Sequence, residues 1–268
     1  MSLLYRVERL CKTVRHSALL KKAAPLWTLV RPLYDRFVGM AGKDGVVRNI
    51  NGTDLIRLSP ECRGTGEVYE PQVWALVMKH MREGARAIDV GAHVGLYATA
   101  LGLRAGRSGR VLAVEPDPEN LVRLRDHIRL NKLDGIVEIV PVAVTDREGE
   151  ASLTLDSLQS HVSDTGSVKI KTDTLDRIAG EGAWDLMLID VEGFEEVVLQ
   201  GGPLLLGDAR RKPSVIVIEV HPYAWEMVGT TSASLLGRLT SSGYRVVDLE
   251  GRPVSAIRDY GHIVAMRE

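Results

Sequence analysis

The sequence has little cysteine and no long hydrophobic run. Its only two cysteines, Cys11 and Cys62, form no Cys-x-x-Cys pair, so we expect neither a disulfide framework nor a zinc cluster. No uncharged apolar stretch approaches the roughly 18 residues that a membrane-spanning helix needs. These absences favour a soluble protein of a reducing, cytoplasmic compartment.

An excess of one charge is also missing over the chain as a whole. Lysine plus arginine number 34 and aspartate plus glutamate 35, so the net charge is −1. Residues 1–42 hold eight basic groups against Glu8 and Asp35, a net +6, which leaves −7 for residues 43–268. Nucleic-acid binding requires a basic surface, so residues 43–268 are not expected to bind DNA or RNA.

Residues 1–42 are predicted to form a basic helical extension, and residues 43–268 one domain. The longest uncharged run of the extension, Ala23–Val30, contains Pro25 and no small-residue cleavage site, so a secretory signal is not expected. Two interpretations stay open. The extension packs on the domain as a helix, or it contacts anionic lipid at the inner membrane face through its lysines and arginines.

From residue 46 onward, short apolar runs alternate with helical patterns. Val46–Leu58, centred on Asn51-Gly52, predicts a β-hairpin. Further strands are predicted at Arg86–Val90, Arg110–Val114, Val137–Val140, 151–155, 168–172, Leu186–Ile189, Val215–Val220 and Arg245–Leu249, with helices near 71–82, 94–104, 118–131, 193–200 and 231–242. The alternation favours an α/β fold with a Rossmann-like, doubly wound, mostly parallel sheet of about seven strands. Ligands of such sheets bind at the carboxyl ends of the strands.

The strongest chemical signal lies at the end of the strand Arg86–Val90. Asp89 is near its end, Gly91 and Gly95 turn the chain, and a helix follows. Glycines let a ligand approach the backbone, and the start of a helix offers free N–H groups. Glu115 follows the next strand, 24 positions after Gly91, where a carboxylate accepts the hydroxyl hydrogens of an adenosine ribose. The order of strand, acid, glycines, helix, strand and second acid therefore predicts a nucleotide-type cofactor.

The glycine turn distinguishes between classes of cofactor. The segment from Gly91 to Gly95 lacks the Gly-x-Gly-x-x-Gly pattern that holds a pyrophosphate. It is instead similar to the first motif of class I S-adenosylmethionine-dependent methyltransferases, whose ligand has no phosphate. A nicotinamide-dependent oxidoreductase and a cofactor-binding protein without turnover remain the alternatives.

Longer strings of the sequence resemble the FkbM family of methyltransferases. They are Tyr69-Glu70-Pro71, the segment Asp89 to Gly95, the segment Glu115 to Asn120, Asn131, Ala143-Val144, Thr174-Leu175-Asp176 and Ile189-Asp190-Val191-Glu192-Gly193-Phe194-Glu195. The similarity covers residues 46 to about 267, and it departs at His93, where the family usually has Asn. It implies that S-adenosylmethionine is held by Glu70, Asp89, Gly91, His93, Gly95, Glu115, Ala143 and Asp190.

Candidate catalytic residues follow two later strands: Asp190 and Glu192 after one, Glu219 and His221 at the end of the other. A hydroxyl acceptor needs a base or a metal to take its proton. Three interpretations are open, of which the first is favoured. His221 or Glu192 is a general base; Asp190 and Glu219, with or without His221, hold a divalent metal such as Mg²⁺; or Glu192 caps the helix at 193–200.

The sequence says less about the roles of the other histidines and about the identity of the methyl acceptor. His161 lies in a predicted loop, 157–167, that could close over the site, whereas His262 is expected at the surface or in a structural role. The resemblance implies O-methylation of a small molecule or glycan, namely a sugar hydroxyl of a glycolipid or polysaccharide, or a hydroxyl of a secondary metabolite. The Asn/Asp-Pro-Pro-Tyr string typical of base amino-group methylation does not follow Leu186–Ile189.

Overall fold

A computed structural model describes residues 44–155, 160–162 and 168–268, with the backbone alone at 154–155 and 160–162. The predicted basic extension therefore lies outside the described residues. The chain divides into two compact units, Met1–Tyr69 and Glu70–Glu268, and the predicted domain boundary at residue 42 stays a prediction. Within the described ranges, no helix has the length and apolar character needed to cross a membrane.

The described part of the first unit contains an antiparallel hairpin of β1 (Val46–Ile50) and β2 (Asp54–Leu58). Alternate residues of both strands are buried, as the two-residue period of a strand requires. Asn51 and Gly52 have φ of +50° and +73°, the left-handed values that tight hairpin turns use. The predicted hairpin is confirmed, and a short 3₁₀ helix, Pro60–Gly64, follows it.

The second unit alternates strands and helices. Its helices are α1 (Pro71–Lys79), α2 (Leu96–Ala105), α3 (Pro118–Leu130), α4 (Leu175–Ala179), α5 (Glu195–Gln200), α6 (Pro203–Gly207) and α7 (Ser232–Ser241), with a 3₁₀ helix at Trp225–Val228. Its strands are β3 (Arg86–Val90), β4 (Arg110–Val114), β5 (Val137–Val140), β6 (Ala143–Thr145), β7 (Gly149–Leu155), β8 (Ser160–Val162), β9 (Val168–Thr174), β10 (Leu186–Ile189), β11 (Val215–Val220), β12 (Tyr244–Val247) and β13 (Gly261–Arg267).

Seven strands form the main sheet, in the order β12-β13-β11-β10-β3-β4-β5. From β5 to β11 neighbouring strands are parallel, whereas β13 runs antiparallel to both β11 and β12. Every residue of β10 and β11 is buried, as is typical of a parallel sheet covered on both faces. The predicted Rossmann-like, mostly parallel sheet of about seven strands is confirmed.

The order of the strands reverses between β3 and β10. The chain runs from β3 outward through β4 and β5, and later from β10 outward through β11. The connections on the two sides therefore diverge and leave a crevice at the carboxyl ends of β3 and β10, where ligands bind in folds of this kind. Gly91 and Asp190 follow these two strands directly.

The last strand, β13, is not among the strands that the sequence pattern predicts. Its buried residues Ile263, Val264 and Ala265 form a short run without alternation, which does not distinguish a strand from other buried segments. The strand inserts between β11 and β12 and pairs His262 directly with Glu219. This pairing brings a histidine to the end of β11 that the sequence prediction had left outside the site.

A smaller sheet has the strand order β6-β9-β7-β8. The strands predicted at 151–155 and 168–172 are confirmed as parts of β7 and β9. The predicted loop at 157–167 is partly wrong, because Ser160–Val162 forms β8 and pairs antiparallel with Leu153–Leu155. The backbone of His161 lies in that strand, and its side chain lies outside the described residues.

Candidate active site

The turn after β3 is shaped by close contacts within the protein. Gly91 has φ +89°, and a Cβ added to it would lie 1.7 Å from the carbonyl oxygen of Asp190. Gly95 has φ +85°, and its Cβ would lie 2.2 Å from Cδ1 of Leu124 in α3. The two glycines thus let β3 meet the residue after β10, and α2 meet α3. The sequence prediction explained these glycines by a turn of the chain and by the approach of a ligand; internal packing requires them as well.

Glu115, after β4, holds the same turn in place. Its Oε2 accepts a hydrogen bond from the His93 N–H at 2.7 Å, and its Oε1 accepts one from the Asp117 N–H at 2.8 Å. Burial raises the pKa of Glu115, and the two backbone hydrogen bonds only partly offset this. The carboxylate is therefore fixed in orientation at the end of β4. His93 itself has φ +51°, a left-handed value that costs free energy for a residue with a side chain.

Asp89 is buried in β3, with 4% of its surface exposed. Among the described residues, its Oδ2 has no hydrogen-bond partner. Burial, and after it the negative charge of Glu115, raises the pKa of Asp89 to about 7. A buried carboxylate oxygen without a partner lowers stability, so this oxygen could accept a hydrogen bond from a ligand.

The structure groups most of the residues predicted to hold a cofactor at this crevice. Asp89, Gly91, His93, Gly95 and Glu115 lie at or next to the turn that Glu115 holds. Ala143 is different: it begins β6 and is buried in a small hydrophobic cluster with Leu153 and Ile170.

A buried histidine–glutamate pair lies past the carboxyl ends of β10 and β11. Nδ1 of His221 is 2.8 Å from Oε1 of Glu195, and the two side chains are 2% and 0% exposed. Glu195 also accepts hydrogen bonds from the Gly193 N–H at 2.9 Å and from Nε1–H of Trp225 at 2.8 Å. A carboxylate accepts and does not donate, so His221 donates from Nδ1, and in the neutral ring Nε2 is left as an acceptor.

Nε2 of His221 faces two further carboxylates. It lies 3.3 Å from Oε2 of Glu192 and 3.9 Å from Oδ1 of Asp190. Burial lowers the pKa of His221, but the hydrogen bond to Glu195 and the surrounding negative charges outweigh burial, so the pKa is raised. Burial, followed by the charge of Glu219, raises the pKa of the Asp190 carboxyl. The arrangement makes His221 a stronger base than a free histidine.

Glu192 does not cap α5, so that part of the prediction is wrong. The helix begins at Glu195, and its N-cap residue, Phe194, makes no side-chain capping bond. Glu192 has φ +50°, and its Oε2 accepts a hydrogen bond from the Tyr223 hydroxyl at 2.8 Å. The carboxylate that bonds a backbone N–H before the helix is that of Glu195, which accepts from Gly193.

Glu219 joins this cluster to a second group of polar side chains. Its Oε2 lies 3.6 Å from Nε2 of His262, and its Oε1 accepts a hydrogen bond from the Tyr260 hydroxyl. Glu70, at the start of α1, accepts a hydrogen bond from the Tyr97 hydroxyl at 2.9 Å. Two sets of possible metal ligands share Glu219, and in each the ligand atoms lie within 4.8 Å of one another: Asp190, Glu219 and His221, and Glu70, Glu219 and His262.

Known proteins resemble this chain over part of their length. Residues 89–246 match the methyltransferase FkbM domain. A probable cobalt-precorrin-6B C(15)-methyltransferase (decarboxylating) of Sulfurisphaera tokodaii is 32% identical over 93 residues, which are 35% of this chain and 44% of that protein. A solved methyltransferase FkbM from Methylobacillus flagellatus KT is 16% identical with a TM-score of 0.47, over 69% of this chain and 44% of that one.

A solved S-adenosylmethionine-dependent O-methyltransferase from Thermotoga maritima is 17% identical with a TM-score of 0.46, over 77% of this chain and 68% of that one. The chain spans less than half the length of the precorrin methyltransferase and of the solved FkbM protein. The matched domain occupies more than half of the 268 residues. The chain belongs to the FkbM methyltransferase family.

Proposed function

We propose that the protein is an S-adenosylmethionine-dependent O-methyltransferase in which His221 is the general base. The observation that carries this proposal is the buried Glu195–His221 pair, which leaves Nε2 of His221 as a hydrogen-bond acceptor beside Asp190. The backbone of Asp190 meets Gly91 at the crevice, so the base and the cofactor turn lie at the same end of the sheet. A histidine oriented by a carboxylate suits the removal of a hydroxyl proton.

The residues at the crevice fit the cofactor. Glu115 stands where a carboxylate accepts the hydroxyl hydrogens of a ribose. The unpaired oxygen of Asp89 suits a ligand that carries positive charge and N–H donors, as the methyl donor does at its amino and sulfonium groups. Four of the five N–H groups of the turn from Gly91 to Gly95 are bonded within the protein, so the turn would contribute its close-approach backbone surface and the first turn of α2. By family resemblance, Glu70, Ala143 and Asp190 complete the set.

When bound, the cofactor supplies a methyl group on a positively charged sulfur, a donor that needs no further activation. The residues of this chain would deprotonate the acceptor. Glu195 keeps the proton of His221 on Nδ1, so Nε2 accepts the proton of the acceptor hydroxyl. Glu192 and Asp190, 3.3 and 3.9 Å from Nε2, stabilise the imidazolium that results. General-base assistance of this kind contributes about 10²- to 10⁴-fold in rate.

We infer that the acceptor is a hydroxyl of a sugar, in a glycolipid or polysaccharide, or of a secondary metabolite. The FkbM resemblance supports this class, and so do the many hydrogen-bonding carboxylates around His221. The precorrin methyltransferase that matches part of the chain transfers its methyl group to carbon, as its name states; the basic nitrogen beside the crevice favours oxygen for this chain.

A metal-assisted form of the same reaction is the second candidate. The ligand atoms of Asp190, Glu219 and His221 lie within 4.8 Å of one another, and carboxylate oxygens suit Mg²⁺. In that case an ion would lower the pKa of the acceptor hydroxyl, and His221 would be a ligand instead of a base.

Methyl transfer from a labelled donor to a panel of sugars and polyketides, with and without a chelator, tests the proposal. His221→Gln should keep its affinity for S-adenosylhomocysteine and lose about 10²- to 10⁴-fold in rate, while the chelator has no effect. In the unmodified protein the rate should rise with pH through a pKa above the ordinary histidine value. His80→Gln, at the far end of α1 from Glu70, is the matched control. Activity that a chelator abolishes and Mg²⁺ restores would contradict the general base.

A further inference from the structure

Two exposed tyrosine rings flank His221. Tyr223, just after β11, and Tyr260, just before β13, expose 63% and 59% of their surface. Their ring centroids lie 5.7 and 5.4 Å from that of His221, at interplanar angles of 87° and 54°. Two distant segments of the chain thus each place an aromatic ring beside the same imidazole.

The hydroxyl groups of these tyrosines are held in place. Tyr223 donates to Glu192, and Tyr260 donates to Glu219. Each ring is therefore anchored at its polar end while much of its apolar surface remains exposed. Tyrosine usually buries a large apolar area, and apolar surface grouped at a polar cleft is typical of a ligand site.

Carboxylates surround the two rings. In the described part of the chain, the ion-pair partners of Asp190, Glu192 and Glu219 are histidines, His221 and His262, and Glu70 lies close to Glu219 and His262. The described residues beside His221 therefore present apolar rings and hydrogen-bond acceptors in a negative field.

We propose that Tyr223 and Tyr260 bind the methyl acceptor beside His221, and that this acceptor is an uncharged cyclic alcohol. The inference rests on the proposed function and specifies the substrate class of that same site. The tyrosine rings contact the C–H surfaces of the acceptor ring, and Glu192 and Glu219 accept hydrogen bonds from its hydroxyls. An anionic group on the same ring would be repelled.

The size of that repulsion sets the expected selectivity. Two like charges about 6 Å apart, at an effective dielectric constant of about 20, weaken binding by roughly 100-fold. Salt and solvent reduce the effect at a cleft that is partly open to water. A carboxylated acceptor should therefore bind at least about tenfold more weakly than its uncharged counterpart.

Matched pairs of sugars test the proposal. The probes are methyl β-D-glucopyranoside and methyl β-D-galactopyranoside, each with its uronic acid, titrated by saturation-transfer NMR in the presence of S-adenosylhomocysteine. Of any pair that binds, the neutral member should bind at least about tenfold more tightly. Tyr223→Ala and Tyr260→Ala should each weaken the neutral probe at least about fivefold, and Leu204→Ala, which removes an equally exposed apolar side chain in α6, should not.

Glu192→Gln separates charge from shape, because glutamine still accepts the Tyr223 hydrogen bond. It should narrow the difference between neutral and carboxylated probes. Equal binding of both members of a pair, no binding of any probe, or tyrosine variants that bind S-adenosylhomocysteine and the neutral probe normally would overturn the proposal. Selective binding of a probe that is not methylated when S-adenosylmethionine replaces S-adenosylhomocysteine would support the tyrosine site and would count against the proposed methyl transfer.

Discussion

Buried carboxylates in this protein differ in how many hydrogen bonds they accept. Glu195 accepts three, from His221, Gly193 and Trp225, and Glu115 also accepts three, two from backbone N–H groups and a longer one from the Asn120 side chain. Asp89 keeps one oxygen without a partner among the described residues. Because burial without hydrogen bonds disfavours the charged form, the pKa of Asp89 is raised to near neutral pH.

The first prediction concerns Asp89 and pH. Its pKa is raised to about 7 by burial and by Glu115, above the value in an unfolded chain. Its contribution to stability is therefore greatest below about pH 4 and is lost as the pH rises to 7. The free energy of unfolding of Asp89→Asn, minus that of the unmodified protein, should increase by about 2–3 kcal/mol from pH 5 to pH 8. Urea denaturation at both pH values measures this, with exposed Asp134→Asn as control. Parallel pH profiles would contradict it.

The second prediction concerns Glu115 and the ribose. Glu115→Ala would remove the proposed charge-assisted contact to the ribose, and it releases the N–H groups of His93 and Asp117. Calorimetry with S-adenosylhomocysteine should show binding weaker by about 1.5–3 kcal/mol. Glu119→Ala, which removes an exposed carboxylate from the first turn of α3, should bind normally. Unchanged affinity in Glu115→Ala would remove this residue from the site.

Several site residues could be predicted because strand ends meet at one edge of a parallel sheet. This placed Asp190, Glu192, Glu219 and His221 together from their positions in the sequence alone. The tyrosines Tyr223 and Tyr260 could not be assigned in the same way. One depends on the path of a loop after β11, and the other on a strand pairing, β11 with β13, that only tertiary structure specifies. Glu195 lay inside a matched string, but its role depends on a contact 26 positions along the chain.

At the scale of elements, the crevice depends on how closely β3 approaches the segment after β10. Strands β3, β4, β5, β10 and β11 were predicted with their observed bounds because each is mostly apolar, with at most two charged residues. The contact between Gly91 and Asp190 is invisible at that level, since glycine after a strand predicts a turn but not what the turn touches.

The third prediction tests that contact. Gly91→Ala places a Cβ 1.7 Å from the Asp190 carbonyl oxygen, at φ +89°, whereas Gly135→Ala meets nothing within 4 Å at the similar φ of +83°. The left-handed backbone alone should cost Gly135→Ala about 1–2 kcal/mol. Gly91→Ala should lose at least about 2 kcal/mol more, because strands must separate to relieve the overlap. Denaturant titration of both variants decides it; equal losses would show that the contact is not tight.

At the scale of the whole molecule, charge is divided unequally along the sequence. Residues 1–42 carry +6 and the remaining residues −7. We propose that the basic segment, which lies outside the described residues, binds anionic lipid and brings the enzyme to lipid-linked acceptors.

The fourth prediction follows from this proposal. The protein should sediment with anionic vesicles and not with neutral ones, and added salt should weaken the binding, because exposed charges are screened over about 8 Å at physiological ionic strength. Replacing Arg15, Lys21 and Lys22 by glutamine should reduce binding at least about tenfold. Replacing the exposed Arg107, Lys132 and Lys171 removes the same charge elsewhere and should have little effect. If both variants lose vesicle binding equally, the net charge of the protein, and not the basic segment, would account for the binding.

The place of β13 in the sheet also has a consequence for the order of events during translation. The ribosome makes β11 and β12 before the strand that separates them. Strand β11 can therefore pair with β10, but neither β11 nor β12 can pair with β13 until Gly261–Arg267 has been added. Until then β11, which is apolar except for Glu219, leaves one edge of the sheet uncovered, and such edges pair with other chains. A nascent chain that stalls before residue 260 would expose this edge and would lack both Tyr260 and His262.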